Sequence, residues 1–217
     1  MPDLTAHDRR EDLSVDRQLA LHTAATRLAA GFDGTHGTET IERPLHAKRR
    51  PVRHQRQRAH FLPLLAERFA RQRLHALARV EGLHHDGRPV VLFLGTHNAG
   101  RSQMAPGFFT HLAGDRAVAW PGGSEPGIEV NPAAITAMTE RGIDISGEYP
   151  KPWTDEAVRA ADIVITMGCG DSPSTRYENW DLNDPFGHTV AEIRPVRGEF
   201  KRRVRRLLDQ LDIPTTG

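Results

Sequence analysis

The chain has 217 residues, 38% of them apolar, a formal net charge of +1 and a single cysteine, Cys169. That is enough for one good domain plus a smaller one, and no apolar run reaches the roughly 18 residues of a membrane span. The polar N-terminus lacks the apolar centre of a signal peptide, and one cysteine excludes an internal disulfide or a multi-cysteine zinc site, so the expected compartment is the cytoplasm.

Residues 1–12 read as a charged, disordered tail. Ser14 is a candidate N-cap for a helix from Val15 to Ala30, with Leu21, Ala24, Ala25 and Leu28 at helical spacing. A short helix is expected from Glu39 to Arg43. Arg43, Lys48, Arg49, Arg50, Arg53, Arg56 and Arg58 then form a basic run, 43–60, with no acid and no periodicity. Without those residues the chain is mildly acidic, which disfavours a nucleic-acid-binding domain. The run has three readings: a phosphate-contacting arm, a solvated loop, or a local shift of reading frame in the gene. A helix from Phe61 to Val80, with Leu62, Leu65, Phe69 and Leu77 as its apolar stripe, completes a helical bundle domain over 13–83. The histidines His84 and His85 beside Asp86 do not share a helix face, and no second cluster completes a metal site.

From Pro89 the texture changes. Val90-Val91-Leu92-Phe93-Leu94 and Asp162-Ile163-Val164-Ile165-Thr166-Met167 read as buried strands. Ala117 to Trp120 reads as a shorter strand, and another is expected near Trp180. Helices are expected over Arg101–His111, Pro132–Arg141 (with Asn131 as N-cap), Asp155–Ala160 and Glu192–Leu211. Strands alternating with helices predict an α/β domain over 89–212, a four-stranded parallel sheet with helices on both faces. Ligands sit at the C-terminal ends of strands in such sheets.

The segment Leu94-Gly95-Thr96-His97-Asn98-Ala99-Gly100-Arg101-Ser102 leaves the first strand at that edge and enters a helix. A tight loop there turns backbone N–H groups inward, and the helix N-terminus adds partial positive charge, which suits a tetrahedral oxyanion. Arg101 can clamp two oxygens with its planar fork. The plainer reading is an ordinary strand–helix turn in which Asn98 and Gly100 only supply left-handed conformations.

These residues resemble the phosphate loop of low-molecular-weight protein tyrosine phosphatases, and more closely that of arsenate reductases on the same fold. His97-Asn98-Ala99-Gly100-Arg101-Ser102-Gln103-Met104-Ala105 carries the likeness. Gly123-Ser124, Gly142-Ile143-Asp144-Ile145-Ser146, Met167-Gly168-Cys169-Gly170-Asp171 and Asp181-Leu182-Asn183-Asp184-Pro185 extend it over 89–211. The helical bundle in front resembles that of actinobacterial members. The resemblance implies that Thr96, His97, Asn98, Ala99, Gly100, Arg101 and Ser102 surround arsenate or phosphate. It gives Asn98 a bracing role, Arg101 the oxyanion, Ser102 a hydrogen bond to the nucleophile, and Asp184 the protonation of the leaving oxygen. It implies no bound cofactor, and a reductant of the mycothiol and mycoredoxin type; no metal is expected, as the histidine spacing already indicates. No membrane partner is expected.

The likeness breaks at the nucleophile. Members carry a cysteine where this chain has Gly95, which has no side chain to attack arsenic or phosphorus. Cys169 aligns instead with a second redox thiol of thioredoxin-coupled members, and no further cysteine follows it. It reads as a small inert residue, or alternatively as a rescuing thiol. The functional expectations are therefore an arsenate reductase family protein impaired at Gly95, a non-catalytic oxyanion-binding or regulatory module, or a phosphatase-like protein.

Overall fold

The computed structural model describes residues 23–30, 32, 40, 62–83, 86–168, 176–184 and 186–216. The chain divides into two compact units, Met1–His84 and His85–Gly217. The expected tail, the first part of the first helix, the basic run 43–60, His84, His85 and Cys169 lie outside the described residues. Of the short helix from Glu39, only residue 40 is described, and it is helical.

In the first unit, α1 (residues 23–30) and α2 (Leu62–Val80) share a small core of Ala24, Ala25, Leu28, Phe32, Ala70 and Leu74. The expected stripe on α2 needs correction. Phe69 is buried, but Leu65 and Leu77 are only half-buried, and the apolar centre is Leu74 with Ala70. Alanines at the contact let two helices approach closely, so the seam runs where side chains are small and not along the largest leucines. Glu67, also buried, accepts from Arg27 at 2.7 Å and Arg71 at 3.3 Å, which compensates for its carboxylate.

The second unit runs β1 (Val90–Gly95), α3 (Arg101–Ala113), a 3-10 turn (Gly114–Arg116), β2 (Val118–Gly123), α4 (Pro132–Thr139), α5 (Asp155–Ala160), β3 (Ile163–Met167), β4 (Tyr177–Asn179) and α6 (Val190–Gln210). The four strands form one sheet in the order β2-β1-β3-β4, and every pairing is parallel. The chain leaves β1 for β2 on one side and later returns to β3 on the other. The carboxyl end of β1 is thus a switch point, where Gly95 lies between Gly123 and Met167.

Alternation along β1 and β3 sorts the core. Val91, Phe93, Ile163, Ile165 and Met167 meet Met104, Phe108, Phe109 and Leu112 of α3, Ala134 and Met138 of α4, and Phe200, Val204, Leu207 and Leu208 of α6. Phe93 sets its ring edge-on to Phe109 and Trp180 at centroid distances of 5.6 and 6.0 Å. Fully burying each such ring stabilises the unit by about 1.5–3 kcal/mol. Leu92, Leu94 and Val164 alternate with these and are equally buried.

Two boundaries depart from expectation for a physical reason. β2 starts one residue later and runs on to Gly123 instead of ending at Trp120. Pro121 lacks an N–H, but β2 is an edge strand, where that loss is tolerated. β4 stops at Asn179, and the Trp180 N–H continues the pairing to the Thr166 carbonyl at 2.8 Å. Helix ends move by one or two residues. α4 begins at the Asn131 cap, whose side chain accepts from the Ala133 N–H at 2.9 Å, a bond worth about 1 kcal/mol. α6 opens with a capping box between Thr189 and Glu192, and the Thr189 backbone and hydroxyl donors hold the Glu192 carboxyl below its ordinary range.

Candidate oxyanion-binding site

The loop between β1 and α3 is fixed from outside, through its carbonyls. Gly95 O accepts from Ser124 N (3.2 Å), Thr96 O from Glu125 N (2.8 Å), His97 O from Gly127 N (2.8 Å) and Ala99 O from Asn131 N (2.7 Å). Asn98 O accepts from Gln103 Nε2 at 3.0 Å, and Gly100 O from the Gln103 and Met104 N–H groups. With the carbonyls turned out, the N–H groups turn in. Those from His97 to Ser102 have no hydrogen-bond partner among the described residues. Gly100 caps α3 without any side-chain bond, so the first turn of the helix is open as well. This is a backbone concavity of positive character, built to receive negative oxygens.

Asn98 makes the turn. Among the described residues it is one of two non-glycine residues with positive φ, at 47°, a region asparagine tolerates. It is 1% exposed, and its Oδ1 accepts from the Lys151 N–H and from Gln103 Nε2, both at 3.0 Å. Its Nδ2 donates to Ser102 Oγ at 3.2 Å. The bracing role expected for Asn98 thus has defined partners.

Gly95 is buried and has ordinary backbone geometry, outside the positive-φ region. A Cβ there would lie 2.9 Å from Ser102 Oγ and 3.2 Å from Ser102 Cβ, with no other contact closer than 4 Å beyond its chain neighbours. The Ser102 hydroxyl, already an acceptor from Asn98, keeps its own proton for a group at that position. Gly123 also serves the site, without a functional group. A Cβ on it would strike Thr96 O at 2.7 Å and Asn98 Cβ at 2.9 Å, so only glycine lets the end of β2 close on the loop. Thr96 Oγ1 donates to Gly168 O at 3.1 Å, tying the loop to the end of β3. His97 is exposed. Its Nδ1 lies 3.1 Å from Glu125 O and carries the proton, because a carbonyl only accepts.

Arg101 and Asp184 are brought together more directly than the sequence suggested. Arg101 Nη1 donates to Leu182 O at 2.6 Å, and Nη2 pairs with Asp184 Oδ2 at 2.7 Å. The arginine side chain is 14% exposed and the aspartate 51%. A guanidinium has five N–H donors, so three remain for a ligand while two hold the 182–184 segment. The other Asp184 oxygen accepts from the Phe186 N–H at 2.9 Å, an Asx turn that aims the carboxylate. Sequence reasoning assigned no role to Gln103, although it stands inside the motif. The signal available was an amide in the first turn of a helix whose other buried residues, Ser102 apart, are apolar. No group of three or more metal-ligating side chains occurs among the described residues, and no described helix is long and apolar enough to cross a membrane.

Comparison with known proteins follows the same division. Residues 90–214 match the low molecular weight phosphotyrosine protein phosphatase family, and residues 21–78 match a protein-tyrosine-phosphatase-like N-terminal domain. A thioredoxin-dependent arsenate reductase from Corynebacterium glutamicum is similar in structure, with a TM-score of 0.72 and 37% identity, covering 88% of this chain and 96% of that one. The glutaredoxin arsenate reductase of a Synechocystis strain is 36% identical over 128 residues, 56% of this chain and 97% of the relative. A structure of an arsenate reductase in the phosphate-binding state is 35% identical with a TM-score of 0.51, covering 56% of this chain and 98% of that one. The protein therefore belongs to the low-molecular-weight phosphotyrosine phosphatase family, within its arsenate reductases, and carries the N-terminal helical extension of the Corynebacterium type.

Proposed function

We propose that this chain binds arsenate or phosphate on the 95–102 loop and turns it over poorly or not at all. The observation behind this reading is Gly95 in an otherwise intact loop. Converting arsenate to arsenite takes two electrons, which two thiols supply when they are oxidised to a disulfide. In the family route implied by the resemblance, a loop thiolate displaces one arsenate oxygen as water and forms an As–S bond. A second thiol then attacks that sulfur, and arsenite leaves. Glycine cannot open this sequence, and the chain has one cysteine in all.

The remaining parts have defined tasks. The loop N–H groups and the free edge of Arg101 hold the oxyanion. Ser102 offers its proton to the nucleophile position. Asp184, held by Arg101 at the mouth of the loop, would protonate the leaving oxygen. With glycine at 95 these parts favour an oxyanion-binding or regulatory role, and phosphatase chemistry is disabled equally. The proposed location is the cytoplasm, in keeping with the lone thiol. No cofactor is required by the reading. The proposed reductant for a restored enzyme is mycothiol with a mycoredoxin. The Corynebacterium relative is thioredoxin-dependent, which makes thioredoxin the alternative to assay beside it.

Calorimetric titration of the unmodified protein with phosphate and with arsenate, alongside an arsenate reduction assay, tests the proposal. Saturable binding of both anions without turnover is the expected result. Reduction at a rate typical of the family would overturn it.

A further inference from the structure

Gln103 occupies the first turn of α3 and is 1% exposed. Three oxygens converge on its amide nitrogen: Asn98 O at 3.0 Å, Asn98 Oδ1 at 3.0 Å and Tyr149 O at 3.2 Å. A primary amide has two hydrogens, so this is a crowded set of acceptors. Turning the amide over would place Oε1 against all three oxygens, so the network itself fixes its orientation. The result is that Oε1 is buried with no hydrogen-bond partner among the described residues. A glutamine kept for packing alone would carry that orphaned acceptor without any return, and an apolar side chain of the same length would fill the space better.

The arrangement secures Asn98. Gln103 grips both the backbone carbonyl and the side-chain carbonyl of the one loop residue in left-handed geometry. It also ties that residue to the carbonyl of Tyr149, two residues before the Lys151 whose own N–H caps Asn98 Oδ1 and whose carbonyl receives Gly123 N at 3.0 Å. A rotation of Asn98 would swing the N–H groups on either side of it out of the concavity. We infer that Gln103 is a positioning residue of the oxyanion loop: its amide locks Asn98 in the left-handed turn and thereby keeps the N–H groups of residues 97–102 converged on one ligand. It touches no reacting atom. The inference rests on the reading of this loop as an oxyanion site.

Gln103→Met keeps the length of the side chain and removes its donors, and Gln103→Glu keeps the shape while setting oxygens against oxygens. Each variant is titrated with inorganic phosphate, and the amide NMR spectrum of the free protein is recorded. The expected result is phosphate affinity weakened about 10-fold or more in either variant. The melting temperature of the Met variant should stay within a few degrees, and in either variant the amide signals of His97 to Arg101 should be displaced with those of β3 in place. The Glu variant serves if the Met variant does not fold. Unmoved loop amides, or affinity within about twofold of the unmodified protein in a folded variant, would overturn the inference. If the unmodified protein binds no phosphate, the oxyanion reading fails, and the loop amides still decide whether Gln103 holds Asn98.

Discussion

Two neighbouring segments build the proposed oxyanion site by different means. The 95–102 loop is anchored through successive carbonyls to Ser124, Glu125, Gly127 and Asn131, and its ligand-facing groups are backbone amides. The 181–184 segment reaches the site through one half-exposed carboxylate, held by Arg101 and the Phe186 N–H. Binding built on backbone survives the exchange of a side chain, because every residue supplies the same N–H. Chemistry built on one side chain ends with one substitution, which is the effect proposed for Gly95. On the proposed reading, the protein separates the architecture of recognition from the machinery of turnover.

The strongest way to break that separation is to restore the machinery. Gly95→Cys should fold, since the backbone at 95 suits any residue and the tight 2.9 Å contact is to a serine hydroxyl that can shift. Arsenate reduction should rise from background by about three orders of magnitude or more, measured with mycothiol and mycoredoxin and again with thioredoxin. A folded Cys variant without activity would mean that more than the nucleophile has been lost. Next in size, Arg101→Ala should weaken phosphate binding about 100-fold. It removes two or more charge-assisted hydrogen bonds, each worth about 1.5–3 kcal/mol less what the anion recovers from water. Titration calorimetry reads this, and unchanged affinity would confine recognition to the backbone.

Asp184→Asn removes a negative charge from beside the anion and frees a guanidinium hydrogen. Phosphate binding should tighten several-fold by calorimetry, and the same change placed on Gly95→Cys should lower reduction. Weaker binding would show that the Arg101–Asp184 pair orients the clamp instead of competing with the ligand. A fourth test concerns the scaffold. Hydrogen bonds from Arg194 and then Arg197 hold the Glu140 carboxyl near a pKa of about 2, below its ordinary 4.5. A depressed carboxylate contributes stability above its unfolded pKa and loses it as pH falls through the folded one. Glu140→Gln should therefore melt a few degrees lower at neutral pH, and the gap should close between pH 4.5 and about 2. A gap independent of pH would remove the charge pair as its cause. Smallest of all, Cys169→Ser should leave phosphate affinity and any residual activity unchanged, and loss of activity would make it a rescuing thiol.

Much of this was legible along the chain. Continuous apolar runs gave β1 and β3, Asn131 marked the start of α4, and the run from Gly95 to Ser102 placed an anion loop at a strand end. The order of these segments carried the family and with it the parallel sheet. Harder to read were features that depend on what a segment packs against. β2 continues through Pro121 because the strand lies at the edge. The seam of α2 follows Ala70 and Leu74 because helix contacts favour small side chains.

The sequence by itself determined which groups exist: a glycine at the nucleophile position, one cysteine elsewhere, and an arginine, a serine and an Asp-Pro pair in family order. Only the tertiary structure decided how they are held. It set Arg101 on Asp184 across 83 residues, closed Gly123 onto the loop, and made Gln103 the clamp of Asn98. The physical reason is that residue type is local, while a hydrogen bond depends on distance and angle. Segments far apart along the chain satisfy those only after the sheet has brought their ends to one edge.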